Sequence, residues 1–288
     1  MIVITGATGQ LGRLVVAALL KKVPASGIVA AVRSAEKARG LAAMGIGVRI
    51  ADYNDPAAWD AALQGAEKVL LISANEIGQR SRQHRSVIDA AIRAGVGLLA
   101  YTSVLRCDTS ILGLAAEHKE TESSIRASGV PYVFLRNSWY TENYTMGIPA
   151  ILGAGALYGC AGDGRVSSAA RADYAEAAAA VLVLPGQAGK VYELAGDTAY
   201  AHAEFADELS RQSGKKIAYV NLSRAEYEAA LRKAGLPDAY AALIADSDAA
   251  ASKGALFDDG KALSRLIGRP TTPMRDSVAA ALAGQGKQ

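Results

Sequence analysis

Six nearly uninterrupted apolar runs, each followed by a segment with helical spacing, constrain this chain more than any other feature. The runs lie at residues 1–5, 27–33, 48–53, 68–73, 98–103 and 132–136. A strand that is apolar on both faces needs cover on both, and strands alternating with helices pair in parallel. The expected fold is therefore α/β, a doubly wound parallel sheet of the Rossmann-like kind. In the first helical segment Leu11, Leu14, Val15, Ala18 and Leu19 recur at helical spacing before Lys21 and Lys22. Ser34 is placed to cap a second helix running to Ala43, while Asp55 and Pro56 read as the cap and first residue of a third. Further helices are expected at 82–94 and 115–127.

The first run breaks into Gly6-Ala7-Thr8-Gly9-Gln10-Leu11-Gly12. A strand that ends in a glycine turn and feeds a helix gathers backbone N–H groups and the positive end of the helix around one small volume, which suits a pyrophosphate. Gly6 would make the turn, Gly9 would admit phosphate, and Gly12 would let helix and strand pack closely. An ordinary strand-to-helix turn is the alternative, but the strand before and helix after are the context that dinucleotide binding requires.

Cofactor choice is made at the end of the second strand, where a carboxylate would hold the ribose hydroxyls of NAD. Arg33 stands there instead. A guanidinium pairs with the 2′-phosphate of NADP, so NADPH is the expected cofactor, with NADH weaker; a solvated arginine is the alternative. Arg13 and Lys37 are candidates to reinforce that contact, and the Gln10 amide is able to reach phosphate or nicotinamide.

Past Asn137 the pattern loosens into glycines, short apolar runs and an alanine-rich helix at 173–184. This predicts two parts: a dinucleotide-binding domain at 1–136, and at 137–288 a smaller α/β lobe on the substrate side, with about 160–185 returning to the first domain. With 51% hydrophobic and 20% charged residues among 288, the chain has ample material for a core. A net charge of +3, with 31 basic and 28 acidic residues of mixed order, argues against nucleic-acid or membrane-surface partners. No signal-peptide pattern and no run of membrane-spanning length are expected, and Cys107 and Cys160 read as free thiols, which together point to the cytoplasm.

The segments Gly6 to Gly12, Ala31-Val32-Arg33, Leu71-Ile72-Ser73, Tyr101-Thr102-Ser103 and above all Leu135 to Asn143 resemble the NmrA-like branch of atypical short-chain dehydrogenases, as do Arg171 to Tyr174 and Val191 to Asp197. The resemblance runs essentially end to end. It implies a cofactor bed of Gly6, Ala7, Thr8, Gly9, Gln10, Leu11, Gly12, Arg33, Ser73, Ala74, Asn75, Asn137, Ser138, Trp139, Tyr140, Thr141, Glu142 and Arg171. Each has a plainer alternative: Ser73 and Asn75 as turn formers, Trp139 and Tyr140 as core aromatics, Arg171 as a surface partner of Asp173, itself a candidate N-cap.

Conventional members of the wider family protonate a carbonyl with a tyrosine whose lysine partner follows four residues later. None of the twelve tyrosines here has lysine at that spacing. In the corresponding helix, His118 and Glu122 share a face and read more readily as a satisfied surface pair than as a relay. Lys119 is an acid candidate by analogy with isoflavone-reductase-like relatives. Without a strong acid, the site suits an acceptor whose reduced form is a phenolate, with a conjugate-acid pKa of about 10. The expected reaction is direct two-electron hydride transfer from NADPH to a quinone or similar conjugated acceptor, with Trp139, Tyr140 and Asn143 shaping the pocket. The competing expectation is a redox sensor that binds NADP(H) without turnover. No metal is expected, because the three histidines are isolated from one another, and no feature of the sequence calls for a flavin. A monomer or homodimer is expected.

Overall fold

The computed structural model describes residues 1–76 and 78–285. The strands are β1 Ile2–Thr5, β2 Ile28–Val32, β3 Gly47–Ile50, β4 Lys68–Leu71, β5 Leu98–Val104, β6 Tyr132–Asn137, β7 Ala156–Gly159, β8 Arg165–Val166, β9 Val191–Leu194, β10 Tyr200–Ala201 and β11 Ala218–Asn221. The helices are α1 Gln10–Leu20, α2 Arg39–Ala42, α3 Pro56–Leu63, α4 Arg80–Arg93, α5 Ala115–Ala127, α6 Glu142–Thr145, α7 Ile148–Ala154, α8 Arg171–Val183, α9 His202–Ser213, α10 Arg224–Lys233, α11 Asp238–Ala251, α12 Ala262–Ile267 and α13 Met274–Gln285.

Seven strands form one sheet in the order β3-β2-β1-β4-β5-β6-β9. The pairs from β3 through β6 are parallel, with Ile4 opposite Ala30 on one side and Leu70 on the other. The order reverses direction at β1 and β4. In open sheets of this kind, ligands bind at the carboxyl ends of strands beside such a reversal, so the loops after β1 and β4 are the place to look. The expected sheet of six strands gains β9 as a seventh.

The chain divides into two compact units. The first comprises Met1–Cys107, Ala116–Asn137 and Ala172–Tyr192; the second comprises Asp108–Ala115, Ser138–Arg171 and Glu193–Gln288. Core residues of the first include Val3, Val29, Trp59, Leu71, Ile88, Leu99, Tyr101 and Phe134. They come from the strands β1, β2, β4, β5 and β6 and from helices α3 and α4. The second has its own core around Ile148, Leu157, Phe205, Leu209, Ile217 and Val278. Its strands pair in twos, β10 with β8 and β11 with β7.

Local chemistry sets several boundaries. Asp55 caps α3, accepting from the amides of Ala57 and Ala58, with Pro56 at the first helical position. Ser34 accepts from the amide of Lys37, but the expected helix does not follow: a turn precedes α2, which is only four residues long. Leu41 is the one buried side chain that α2 contributes, too little packing to hold a longer helix. Cys107 and Cys160 are free thiols. Among the described residues no helix is long and apolar enough to cross a membrane, and no group of three or more His, Cys, Asp or Glu is placed to hold a metal ion.

Candidate functional site

Gly6 follows β1 with a φ of 58°, in the left-handed region that the turn demands and that glycine adopts without strain. The amide of Gly9 donates to the Gly6 carbonyl at 2.9 Å, closing the loop. A Cβ on Gly12 would lie 2.4 Å from the Gly6 carbonyl oxygen and 2.7 Å from the Ala7 Cα, so only glycine lets α1 sit this close to the loop. No side chain caps α1 at Gly9; its first-turn amides and dipole are left for solvent or an anion. Gln10 is exposed, whereas Ala7 and Leu11 are buried beneath the loop. Thr8 is held through its carbonyl, which accepts from Arg13 Nε at 2.9 Å. A second guanidinium nitrogen of Arg13 donates to the Lys37 carbonyl. Arg13 therefore staples the glycine loop to the turn after β2.

Arg33 emerges from the end of β2 with its side chain 62% exposed and pairs with Glu76 at 3.3 Å. Glu76 belongs to the segment after β4, whose first residues are held by several hydrogen bonds. Thr102 Oγ1 accepts from the Ser73 amide, His84 Nε2 from the Ala74 amide, each at 2.9 Å, and Arg80 Nε donates to the Ala74 carbonyl. Arg80 is itself paired with Glu117. Because His84 Nε2 accepts, its proton is on Nδ1, 3.0 Å from Thr121 Oγ1, whose hydroxyl donates to the Glu117 carbonyl. Burial pushes the His84 pKa down to about 3, with Arg80 adding in the same direction, and keeps the ring neutral. One strand earlier, Thr5 Oγ1 accepts from the Ile72 amide, and the Tyr53 hydroxyl lies 2.6 Å from Thr5 Oγ1 and 2.8 Å from the Ile72 carbonyl oxygen. Ser73 is half-buried, Ala74 buried and Asn75 exposed. Sequence reasoning missed Thr5, Tyr53, Arg80, His84, Thr102 and Thr121. The available signal was a hydroxyl residue at the carboxyl end of an otherwise apolar strand, seen at Thr5 and Thr102.

Helix α5 is where the catalytic candidates were expected. His118 is buried, with Nδ1 2.7 Å from the Tyr101 hydroxyl, and burial holds its pKa well below the ordinary histidine value. Glu122 is also buried. It accepts from Arg136 at 2.9 and 2.6 Å and from the Ser103 hydroxyl at 2.6 Å. The expected surface pairing of His118 with Glu122 is thus replaced by two separate buried arrangements. Both face the sheet because β5 and β6 present a hydroxyl, a phenol and a guanidinium to that side of the helix. Lys119 lies on the exposed side. Asn137, at the end of β6, is 5% exposed, and its Oδ1 has no hydrogen-bond partner. Buried polar atoms are normally satisfied, so this oxygen fits an amide or hydroxyl donor from a bound group.

In the second unit, residues 138–142 and Arg171 come together. Trp139 and Thr141 exchange backbone hydrogen bonds with Ala169. Both carboxylate oxygens of Glu142 accept from the Arg171 amide at 2.9 Å, and the Arg171 guanidinium lies over the Tyr140 ring, 4.7 Å from its centre. Thr141 and Ser168 share a hydrogen bond, and Ser138 donates to the Leu256 carbonyl. Trp139 and Tyr140 are half-buried, and Asn143 is exposed. Asp173 is not the N-cap expected: it sits inside the first turn of α8, fully buried.

The glycine cradle, with a Cβ excluded at Gly12 and uncapped amides beyond it, and the unpartnered Asn137 oxygen fit a dinucleotide. Comparison with known proteins points the same way. The chain is 59% identical to quinone oxidoreductase 2 of Escherichia coli K12 over 278 residues, covering 96% of this chain and 97% of that one. The structure of the E. coli NADPH-dependent quinone oxidoreductase in complex with NADPH matches with a TM-score of 0.96 at 58% identity, over 98% and 100% of the two chains. Triphenylmethane reductase of a Citrobacter species, solved with NADP(H), matches with a TM-score of 0.94 at 41% identity, again over 98% and 100%. Residues 6–185 match the family described as NAD(P)H-binding, and the chain belongs to that family.

Proposed function

We propose that this chain is an NADPH-dependent quinone oxidoreductase that reduces its acceptor by direct two-electron hydride transfer. The likeness to quinone oxidoreductase 2 sets the reaction class. One observation of this chain carries it further: on α5, where a tyrosine–lysine acid would stand, the ionisable residues His118 and Glu122 are both locked into the core. A site without a strong acid suits an acceptor whose two-electron product is an aromatic phenolate, because water can protonate a group with a conjugate-acid pKa of about 10. An isolated ketone would instead leave a strongly basic alkoxide.

The bound cofactor supplies a hydride from its nicotinamide ring. The protein's part is binding and positioning. The loop Gly6 to Gly12 and the N-terminus of α1 take the pyrophosphate, and Arg33 pairs with the 2′-phosphate. Ser73 and Ala74 form a rigid wall at the carboxyl end of β4, since Thr102, His84 and Arg80 fix their backbone, and exposed Asn75 follows them. Asn137 offers its unpartnered Oδ1. On the sequence reading, residues 138–142 and Arg171 are further cofactor candidates, and Trp139, Tyr140 and Asn143 are the candidates for the acceptor pocket. We place the enzyme in the cytoplasm, where two free thiols remain reduced.

The test is to mix the protein with NADPH and a benzoquinone and follow nicotinamide absorbance. Oxidation well above the uncatalysed rate is expected. Measured NADPH binding without oxidation would instead assign a sensor.

A further inference from the structure

We propose that Glu76 is a second determinant of cofactor choice, a carboxylate that opposes Arg33 and moderates the preference for NADPH over NADH. The inference rests on the reading that Arg33 takes the 2′-phosphate. Glu76 Oε1 lies 3.3 Å from the Arg33 guanidinium. Its other oxygen, Oε2, accepts from Gln83 Nε2 at 2.7 Å. Gln83 is 1% exposed, and the same Nε2 lies 3.3 Å from Asn54 Oδ1, an oxygen that also accepts from Arg82. Two acceptors on one nitrogen settle which way the Gln83 amide points. The Glu76 carboxylate is therefore not a swinging surface group: a buried amide grips one oxygen and presents the other to Arg33.

Stability does not account for this arrangement. Side chains 62% and 43% exposed form a pair of the kind that contributes little to folding. The consequence falls on the ligand. A 2′-phosphate arriving at Arg33 meets a carboxylate already on the guanidinium, and must displace it or bind beside a like charge. A ribose with a free 2′-hydroxyl brings a donor that a carboxylate accepts. In dinucleotide folds that acceptor stands at the end of the second strand. Here Arg33 occupies that end, and a carboxylate reaches the same guanidinium from the segment after β4.

The substitution Glu76→Gln removes the charge while keeping an oxygen for Gln83 to hold. Dissociation constants for NADPH and NADH are measured by nicotinamide fluorescence for the wild type, Glu76→Gln and Arg33→Ala. Glu76→Gln is expected to tighten NADPH roughly three- to tenfold, as removal of a like charge a few ångströms from a dianion predicts, without tightening NADH. The gain should shrink at about 0.5 M salt, where such interactions are screened. An NADPH-to-NADH ratio that is unchanged, or that moves toward NADH, overturns the proposal. Arg33→Ala judges the underlying reading separately. A selective loss of NADPH supports it, and equal losses for both cofactors refute it, whichever way Glu76→Gln moves the ratio.

Discussion

Two arginine–glutamate pairs of the first unit use the same side chains for opposite ends. Arg136 and Glu122 are 5% and 4% exposed and meet through two short hydrogen bonds, with the Ser103 hydroxyl donating to the same carboxylate. Arg33 and Glu76 meet once, at 3.3 Å, both open to solvent. A buried charge depends on its partner, because nothing else replaces the lost water. An exposed charge exchanges its partner readily for water or a ligand. The first pair accordingly fixes α5 against β5 and β6, and the second leaves a guanidinium free to trade a carboxylate for a phosphate. The first unit draws its rigidity from buried polar bonds at strand ends, and on the proposed reading its selectivity comes from the charges left outside.

The largest effect expected from breaking this contrast is at Glu122. Glu122→Ala should destabilise the protein by about 3–5 kcal/mol in chemical denaturation, since it removes the buried carboxylate that pairs with Arg136. A loss below about 1 kcal/mol would make the buried pair no different from an exposed one. Arg33→Asp should leave stability nearly untouched and weaken NADPH at least about tenfold, the equivalent of losing one charge-assisted hydrogen bond and adding repulsion. NADH should lose much less, and equal losses would show that Arg33 does not read the 2′-phosphate.

His84 extends the buried side of the comparison to pH. Its folded pKa, about 3, lies below the ordinary histidine value of 6.5. Above pH 6.5 it is neutral folded or unfolded, and its stabilising contact is intact. As pH falls from 6.5 toward 3 the unfolded chain takes up a proton that the native ring refuses, and stability drops by about 1.4 kcal/mol per pH unit for that group. His84→Gln, which keeps an acceptor for the Ala74 amide but does not titrate, should flatten the acid limb of a stability–pH curve by about that slope. An unchanged slope would mean that the ring is not held neutral. The smallest effect is expected at Lys119, which is exposed on α5 beside buried His118. Lys119→Ala should change kcat with benzoquinone little, and a collapse in kcat with unchanged NADPH binding would restore it as proton donor.

The alternation of apolar runs and helices was legible because strands covered on both faces leave no polar interruption, and α5 has the expected bounds, Ala115–Ala127. The glycine cradle was legible because local spacing carries its geometry, and so was the position of Arg33 at the end of β2. The polar ladder that holds the cradle's surroundings was not. Thr5 meets Tyr53 across 48 residues of sequence and Ile72 across 67, and Ser73 meets Thr102 across 29. No periodicity within an element announces such partners. The same blindness led His118 and Glu122 to be expected at the surface: their helical spacing was visible, but not the Tyr101 phenol and Arg136 guanidinium waiting on neighbouring strands. Asp173 was mistaken for a cap because its residue type favours that place, although α8 begins two residues earlier.

Direct hydride reduction is tested most directly by an anaerobic titration of NADPH with limiting benzoquinone, followed by nicotinamide absorbance and electron paramagnetic resonance. The predicted result is one NADPH consumed per quinone with no radical signal. A radical signal that grows with turnover, or NADPH binding with no oxidation above the uncatalysed rate, would contradict it.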